Sequence, residues 1–123
     1  MLINGFFTAA AGGSADAVPL CWWQGWSGYW YVTSTMPLRR RSCDAPGLFV
    51  LAHRDAIGNC TPVVIGTSPD IEHTLSGPAV TTLEAAVRAG ANELHVNLVG
   101  STPADWDRAA FDIARAWNVP VWQ

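Results

Sequence analysis

Four residues are the candidates for a rearranged acid–base or metal-ion site: His53, Glu93, His95 and Asp112. Imidazole and carboxylate groups exchange protons near neutral pH, and carboxylates bind divalent cations. Their spacing matches no metal-binding or nucleophile motif. They would form a site only if the fold brought them into one cleft, so a rearranged catalytic site built from them is an alternative hypothesis.

Tryptophans and arginines form a second group with functional potential. The chain has seven tryptophans, four of them between positions 22 and 30, and its seven basic residues are all arginines. Both residue types are enriched at protein-interface hot spots and on base-stacking surfaces. Some of these tryptophans must pack on the core, and a run of arginines is often only a solvated loop. The predicted binding residues are Trp22, Trp23, Trp26, Arg39, Arg40, Arg41 and, at a predicted strand end, His53 and Arg54.

Length, composition and charge limit the class of protein. The chain has 123 residues, of which 50% are hydrophobic and 14% charged, which predicts one globular domain. Its net charge of -3 differs from the basic balance of a general phosphate-backbone binder. No apolar stretch reaches the roughly 20 residues of a transmembrane helix, so we expect a cytoplasmic protein with no membrane partner.

Three cysteines and three histidines are further candidates for a metal site. None of the cysteines, Cys21, Cys43 and Cys60, stands at the close spacing of a zinc or thiol-redox motif. We therefore expect free thiols, no metal and no other cofactor.

The N-terminal third of the chain predicts an arm followed by a hairpin. Residues 1–20 are rich in Ala, Gly and Ser without a sustained period, which indicates a flexible arm before a single domain over 21–123. Residues 21–38 alternate aromatic and β-branched residues around Gly25 and Gly28, the pattern of a β-hairpin.

Three further strands are predicted after the hairpin. Apolar runs at 47–53 and 61–66, with a turn at 55–59 between them, indicate two neighbouring central strands. Alternation over 93–99 indicates a half-exposed strand with His95 on its polar side.

Helix start and stop signals fill the rest of the chain. Ser68 as an N-cap opens a short helix, and Thr81 with Glu84 forms a capping box for a second helix that ends at Gly90. A third helix over 102–117 has one apolar face. The predicted fold is α+β: a small, mainly antiparallel central sheet flanked by helices and preceded by the tryptophan-rich hairpin.

This order of elements resembles the GIY-YIG nuclease superfamily. The resemblance is carried by the strands GLFVLAHRD and TPVVIG, a Ser-Pro-Asp helix start, the strand entry RAGANELHV and a last helix ending WNVPVW. More narrowly, it is similar to a bacterial branch in which a W-x-G-x-S-G-x-x-Y hairpin precedes the nuclease core, over residues 22–123. The resemblance implies phosphodiester hydrolysis by two strand tyrosines, a helix arginine and a glutamate that holds Mg²⁺ or Mn²⁺.

The positions to which the resemblance assigns these roles carry other residues: Phe49, Val64, Thr74 and Ala110. Phe49 keeps a ring but lacks the hydroxyl, and Ala110 has no metal-binding oxygen. Removing one transition-state donor typically slows an enzyme about 100- to 1000-fold, so the loss of all four predicts no useful nuclease activity.

The sequence therefore predicts a non-catalytic GIY-YIG-like domain that acts as a binding or assembly module. The hairpin and the Arg39–Arg41 loop form the expected contact surface, and the expected partner is another protein or a second copy of the chain. Two alternatives stay open: a Mg²⁺- or Mn²⁺-dependent DNA endonuclease with a rearranged site, and DNA binding without cleavage.

Overall fold

The computed structural model describes residues 19–77, 80–97 and 102–122 in full, and the backbone of residues 5–8. These residues form six strands and three α-helices. In chain order they are β1 (Gly5–Thr8), β2 (Pro19–Gln24), β3 (Trp30–Pro37), β4 (Gly47–Arg54), β5 (Cys60–Ser68), α1 (Ile71–Ser76), α2 (Val80–Arg88), β6 (Glu93–Asn97) and α3 (Pro103–Trp117), with a 3-10 turn at Leu38–Arg40.

The strands form one sheet in the order β1-β2-β3-β6-β4-β5, and every neighbouring pair is antiparallel. β6 joins the two hairpins, because His95 pairs with Thr35 of β3 on one side and with Val50 of β4 on the other. The predicted α+β class, the antiparallel sheet and the tryptophan-bearing hairpin are confirmed.

The sheet is covered on both faces. One face packs Phe49, Leu51 and Leu94 against α1 and α2. The opposite face packs Trp23, Val50 and other side chains against α3. Because helices cover both faces, β4 is a nearly continuous apolar run and not an alternating one.

Helix α3 begins and ends as its sequence predicts. The Thr102 hydroxyl accepts a hydrogen bond from the backbone N–H of Asp105 at 3.2 Å, and Pro103 is the first helical residue. Its buried residues, Ala110, Ile113 and Ala114, lie toward the sheet. The helix ends at Asn118, which adopts the left-handed conformation with φ 54°.

Three local predictions differ from the structure. β6 is buried on both faces, and His95 has no exposed surface, because the ring of Trp23, which packs on Trp117 of α3, lies against the face that alternation alone marks as polar. β5 lies at the edge of the sheet, whereas two central strands are predicted. The N-cap of α1 is Asp70, whose carboxylate accepts from the N–H of His73 at 3.2 Å, and Ser68 is the last residue of β5.

Most of the predicted arm lies outside the described residues, at positions 1–4 and 9–18. The described remainder is strand: Gly5–Thr8 pairs with β2, and Pro19 and Leu20 open β2. These positions extend the sheet by one edge strand.

Candidate functional site

The predicted binding tryptophans have different environments. Trp23 is completely buried, Trp22 is half-buried, and Trp26 in the hairpin turn is 62% exposed. The guanidinium carbon of Arg115 lies 4.8 Å from the centroid of the Trp26 ring. Only Trp22 and Trp26 of these three are accessible to a partner.

The arginine loop lies far from the hairpin turn. Arg39 and Arg40 are exposed on the 3-10 turn that follows β3, whereas Arg41 donates to Glu72 at 3.1 Å and to the Leu38 carbonyl at 3.2 Å. The eight residues of β3 separate this loop from the turn, a length of about 25 Å. The loop and the turn therefore do not form one compact contact surface.

His53 and Arg54 bond within the chain. His53 Nδ1 donates to the Gly90 carbonyl at 2.8 Å. Arg54 donates to Glu93 Oε2 at 2.6 Å and to the Gly58 carbonyl at 2.8 Å. Both side chains hold the end of β4 to neighbouring segments.

A buried polar cluster lies between the sheet and α3. It consists of Cys21, Trp23, Arg54, Cys60, Glu93 and His95. The Trp23 indole Nε1 donates to His95 Nδ1 at 3.0 Å, and His95 Nε2 lies 2.8 Å from Glu93 Oε1. Cys60 Sγ lies 3.8 Å from the same Nε2. The ligand atoms of Cys60, Glu93 and His95 all lie within 4.8 Å of one another, which makes this group the natural candidate for a metal centre.

The tautomer of His95 opposes metal binding. An indole nitrogen can only donate a hydrogen bond, so Nδ1 of His95 must accept and the ring proton is on Nε2. That proton points to the Glu93 carboxylate, and Nε2 is the ring nitrogen that lies near Cys60. A metal at this position would need a deprotonated Nε2 and hence rupture of the Trp23 bond. The residues therefore do not fit a resident zinc ion.

The protonation states of the cluster also oppose catalysis. The hydrogen bond with Cys21, together with burial, raises the pKa of the Cys60 thiol, so no thiolate nucleophile forms at neutral pH. Burial by itself would raise the pKa of Glu93, but hydrogen bonds from His95 and Arg54 outweigh it and lower the pKa to about 2. Cys60 and His95 are also inaccessible, with exposures of 1% and 0%. The bonds among these side chains are those of a structural network.

Asp112 anchors the hairpin turn to α3. Its carboxylate accepts from the Ser27 N–H at 2.8 Å, the Ser27 hydroxyl at 2.6 Å and the Tyr31 hydroxyl at 2.8 Å. Its backbone carbonyl accepts from the N–H of Trp26 at 3.0 Å. A Cβ on Gly25 would stand only 2.0 Å from an Asp112 oxygen, so only glycine permits this approach.

These contacts change the acidity of both partners. Burial would raise the pKa of Asp112, but the hydrogen bonds from Ser27, Tyr31 and the turn backbone outweigh it and lower the pKa. Burial and the hydrogen bond to the Asp112 carboxylate raise the pKa of Tyr31 well above its usual range. Asp112 is thus a turn anchor.

An open groove of about 620 Å³ lies between the hairpin and the first half of α3. We call it the aromatic groove, because five of its lining residues are aromatic: Trp22, Tyr29, Trp30, Tyr31 and Trp106. Two of them are well exposed, Tyr29 at 65% and Trp30 at 40%. Among the described residues, the rest of the lining consists of Ser27, Val32, Leu48, Asn97, Asp105, Arg108 and Ala109.

The four residues of the alternative catalytic site have three different sets of partners. Glu93 and His95 bond to each other, Asp112 bonds to the hairpin turn, and His53 bonds to the loop at Gly90. The structure therefore does not assemble them into one constellation.

The positions at which the resemblance expects catalytic groups are mostly core. Phe49, Val64 and Ala110 are buried with exposures of 0%, 5% and 1%. Thr74 is half-buried, and its hydroxyl lies 2.6 Å from that of Ser68. These side chains contribute packing and one local hydrogen bond.

Sequence reasoning missed the groove itself. Tyr29, Tyr31 and Trp30 lie in the predicted hairpin, but Trp106 is 75 or more residues further along the chain and its helical face indicates only core. The available signal was the count of aromatic residues, which exceeds what one side of a hairpin can bury.

None of the helices in the described ranges is long and apolar enough to cross a membrane. Comparison of the chain with protein-family models, with curated proteins and with solved structures found no match.

Proposed function

We propose that this chain is a non-catalytic binding module that captures a partner protein in the aromatic groove. The observation that carries the proposal is a contrast in access: the groove is open and five of its described lining residues are aromatic, whereas Cys60 and His95 of the acid–base cluster are buried. Aromatic residues and arginine supply most of the affinity at protein interfaces. No acid, base or nucleophile with a free functional atom is needed for such a role.

We also propose that the module is a GIY-YIG-like domain that lacks the nuclease residues. In support, β4, β5, α1, α2, β6 and α3 follow one another in the order that the resemblance implies. Phe49, Val64 and Ala110 lie in the core, where apolar side chains stabilise the fold. A hydroxyl or carboxylate at these positions would need a buried partner.

A cleavage assay tests the non-catalytic part of the proposal. Purified protein incubated with plasmid DNA and Mg²⁺ or Mn²⁺ is expected to leave the plasmid intact. Cleavage that disappears in Asp112→Ala, or in His95→Ala, would overturn the proposal, because it would show a rearranged active site.

Panning of a random-peptide display library tests the binding part. The wild-type chain is expected to enrich peptides that Trp30→Ala no longer retains. Phe111→Ala is the matched control, because Phe111 is 62% exposed but does not line the groove. If the wild type and Trp30→Ala enrich the same peptides, or neither enriches any, the groove is not a protein-binding site.

Sedimentation velocity tests whether the partner is a second copy of the chain. We expect a monomer at micromolar concentration. A dimer that Trp30→Ala dissociates would mean that the groove binds a second copy, which contradicts a separate partner protein.

A further inference from the structure

The lining of the aromatic groove indicates the chemistry of its ligand. Tyr29 and Tyr31 lie with ring centroids 4.9 Å apart and planes inclined at 56°, so together they form an uneven, ridged surface. Trp22, Trp30 and Trp106 extend the apolar area around this pair. A ligand that fills the groove must present compact apolar units that pack against these rings.

Most polar side chains of the groove are already engaged. The Ser27 hydroxyl donates to Asp112 at 2.6 Å, and the Asn97 amide donates to the Val32 carbonyl at 3.0 Å. Asp105 accepts from the Thr102 hydroxyl at 2.9 Å and from Arg108 at 3.1 Å. A ligand rich in hydroxyls, such as an oligosaccharide, would have to displace these bonds, which favours a ligand with few hydrogen-bond donors.

The charge of the groove favours an uncharged ligand. Its acidic and basic side chains, Asp105 and Arg108, form an ion pair with each other. No further basic side chain lines the groove among the described residues. A nucleic-acid backbone needs several basic contacts, so it is a poor match for this surface.

We propose that the aromatic groove binds a proline-rich segment of a partner protein in the polyproline II conformation. This inference rests on the proposed function and specifies its ligand. Prolyl residues have compact apolar rings and no backbone N–H, so they pack apolar units against the aromatic rings and add no donor that needs an acceptor. Their extended conformation exists before binding, which reduces the entropy lost on association. The exposed Tyr29 and Trp30 have an O–H and an N–H donor, respectively, that suit prolyl carbonyls.

Titration with a decaproline peptide tests this inference, with intrinsic tryptophan fluorescence as the signal. A glycine-serine decapeptide is the matched probe without prolyl rings. Decaproline is expected to saturate the signal at a concentration at least about tenfold below that of the glycine-serine peptide, the effect of one good hot spot. Equal, weak binding of the two peptides would overturn the inference.

Variants locate the binding site in the same titration. Trp30→Ala and Tyr29→Ala are each expected to weaken decaproline binding about tenfold or more, because each removes an exposed ring of the groove. Phe111→Ala is expected to change the affinity by less than about twofold. Two groove variants are used so that misfolding of one, detected by circular dichroism, leaves the other informative. Decaproline affinity unchanged in both groove variants would overturn the inference.

Two further ligand titrations and the display-library result distinguish failure of this inference from failure of the proposed function. Cellohexaose and a dT10 oligonucleotide are titrated in parallel, and tighter binding of either one than of decaproline overturns the proline-rich ligand. Groove-dependent peptides from the display library that lack proline would overturn this inference alone and leave the proposed function standing. Absence of any groove-dependent peptide would overturn both.

Discussion

The buried polar cluster and the aromatic groove both lie where α3 packs against the sheet, and each has only part of what a functional site requires. The cluster contains cysteine, histidine and glutamate within bonding distance, but its Cys60 and His95 are buried and both His95 nitrogens are engaged. The groove is open, but its chemistry is that of aromatic rings and one ion pair. Access and unsatisfied bonding capacity, more than residue type, separate a binding surface from a structural network.

The largest expected effect is on the free energy of unfolding, and it distinguishes the buried Trp23 from the exposed Trp26. Trp23→Ala removes a completely buried indole and its bond to His95, and we expect it to lower the free energy of unfolding by about 3–5 kcal/mol. Trp26→Ala, only three residues away but 62% exposed, should change it by less than about 1 kcal/mol. Urea denaturation of both variants measures the difference. Similar losses would contradict the assignment of Trp23 to the core.

Acid should destabilise the protein through the buried cluster. The pKa of Glu93 is about 2 in the folded chain and has its ordinary value of 4.5 when unfolded. The stability that Glu93 contributes is therefore complete above about pH 5 and is lost as the pH falls toward 2, on the order of 3 kcal/mol in total. Denaturant unfolding from pH 7 to 2 measures this loss.

Glu93→Gln is the control for the acid effect. The variant should be less stable than the wild type at pH 7, and its stability should fall less steeply below pH 5. Part of the pH dependence of stability that remains in Glu93→Gln is expected to come from Asp112, because its pKa is also lowered. A variant with the full wild-type slope would show that Glu93 is not the group that senses acid.

Removal of the turn anchor should have an intermediate effect on stability and a distinct effect on binding. Asp112→Ala loses three hydrogen bonds to Ser27 and Tyr31 at a partly exposed site, and we expect a loss of about 1–2 kcal/mol. Because the turn carries Tyr29, decaproline binding should weaken as well. Asp107→Ala, on the same helix and outside the groove lining, serves as the comparison. If decaproline binding is unchanged in Asp112→Ala, Asp112 does not position the residues of the aromatic groove.

Zinc should produce the smallest effect of all. Since the proton of His95 lies on Nε2, adding equimolar Zn²⁺ is expected to change the melting temperature by less than about 1 °C. Cys60→Ser measured with and without Zn²⁺ is the control. If Zn²⁺ raises the melting temperature by several degrees and Cys60→Ser abolishes the rise, the buried cluster is a metal site.

Local signals in the sequence predicted much of this fold. Aromatic and β-branched residues around Gly25 and Gly28 define the hairpin, and Thr102 and Pro103 mark the start of α3. These are interactions among near neighbours in the chain, so the local sequence contains the information.

Contacts across long sequence separations limited the prediction of the site. The strand pattern predicts a half-exposed His95, but it is buried because the Trp23 ring, 72 residues earlier in the chain, packs on it. Ser27 and Asp112 are 85 residues apart, and no local pattern links a turn serine to a helix carboxylate. The groove likewise needs Trp106 from α3 beside Tyr31 from β3.

The indole N–H resonances of the seven tryptophans, followed by NMR during a decaproline titration, test the central claim most directly. The indole signals of Trp22, Trp30 and Trp106 should shift in a saturable way, because these rings line the groove. The Trp23 signal should remain in place, since its N–H is held by His95 in the closed cluster. A shift of the Trp23 signal while the groove tryptophans stay unchanged would contradict the account, and so would the absence of any shift.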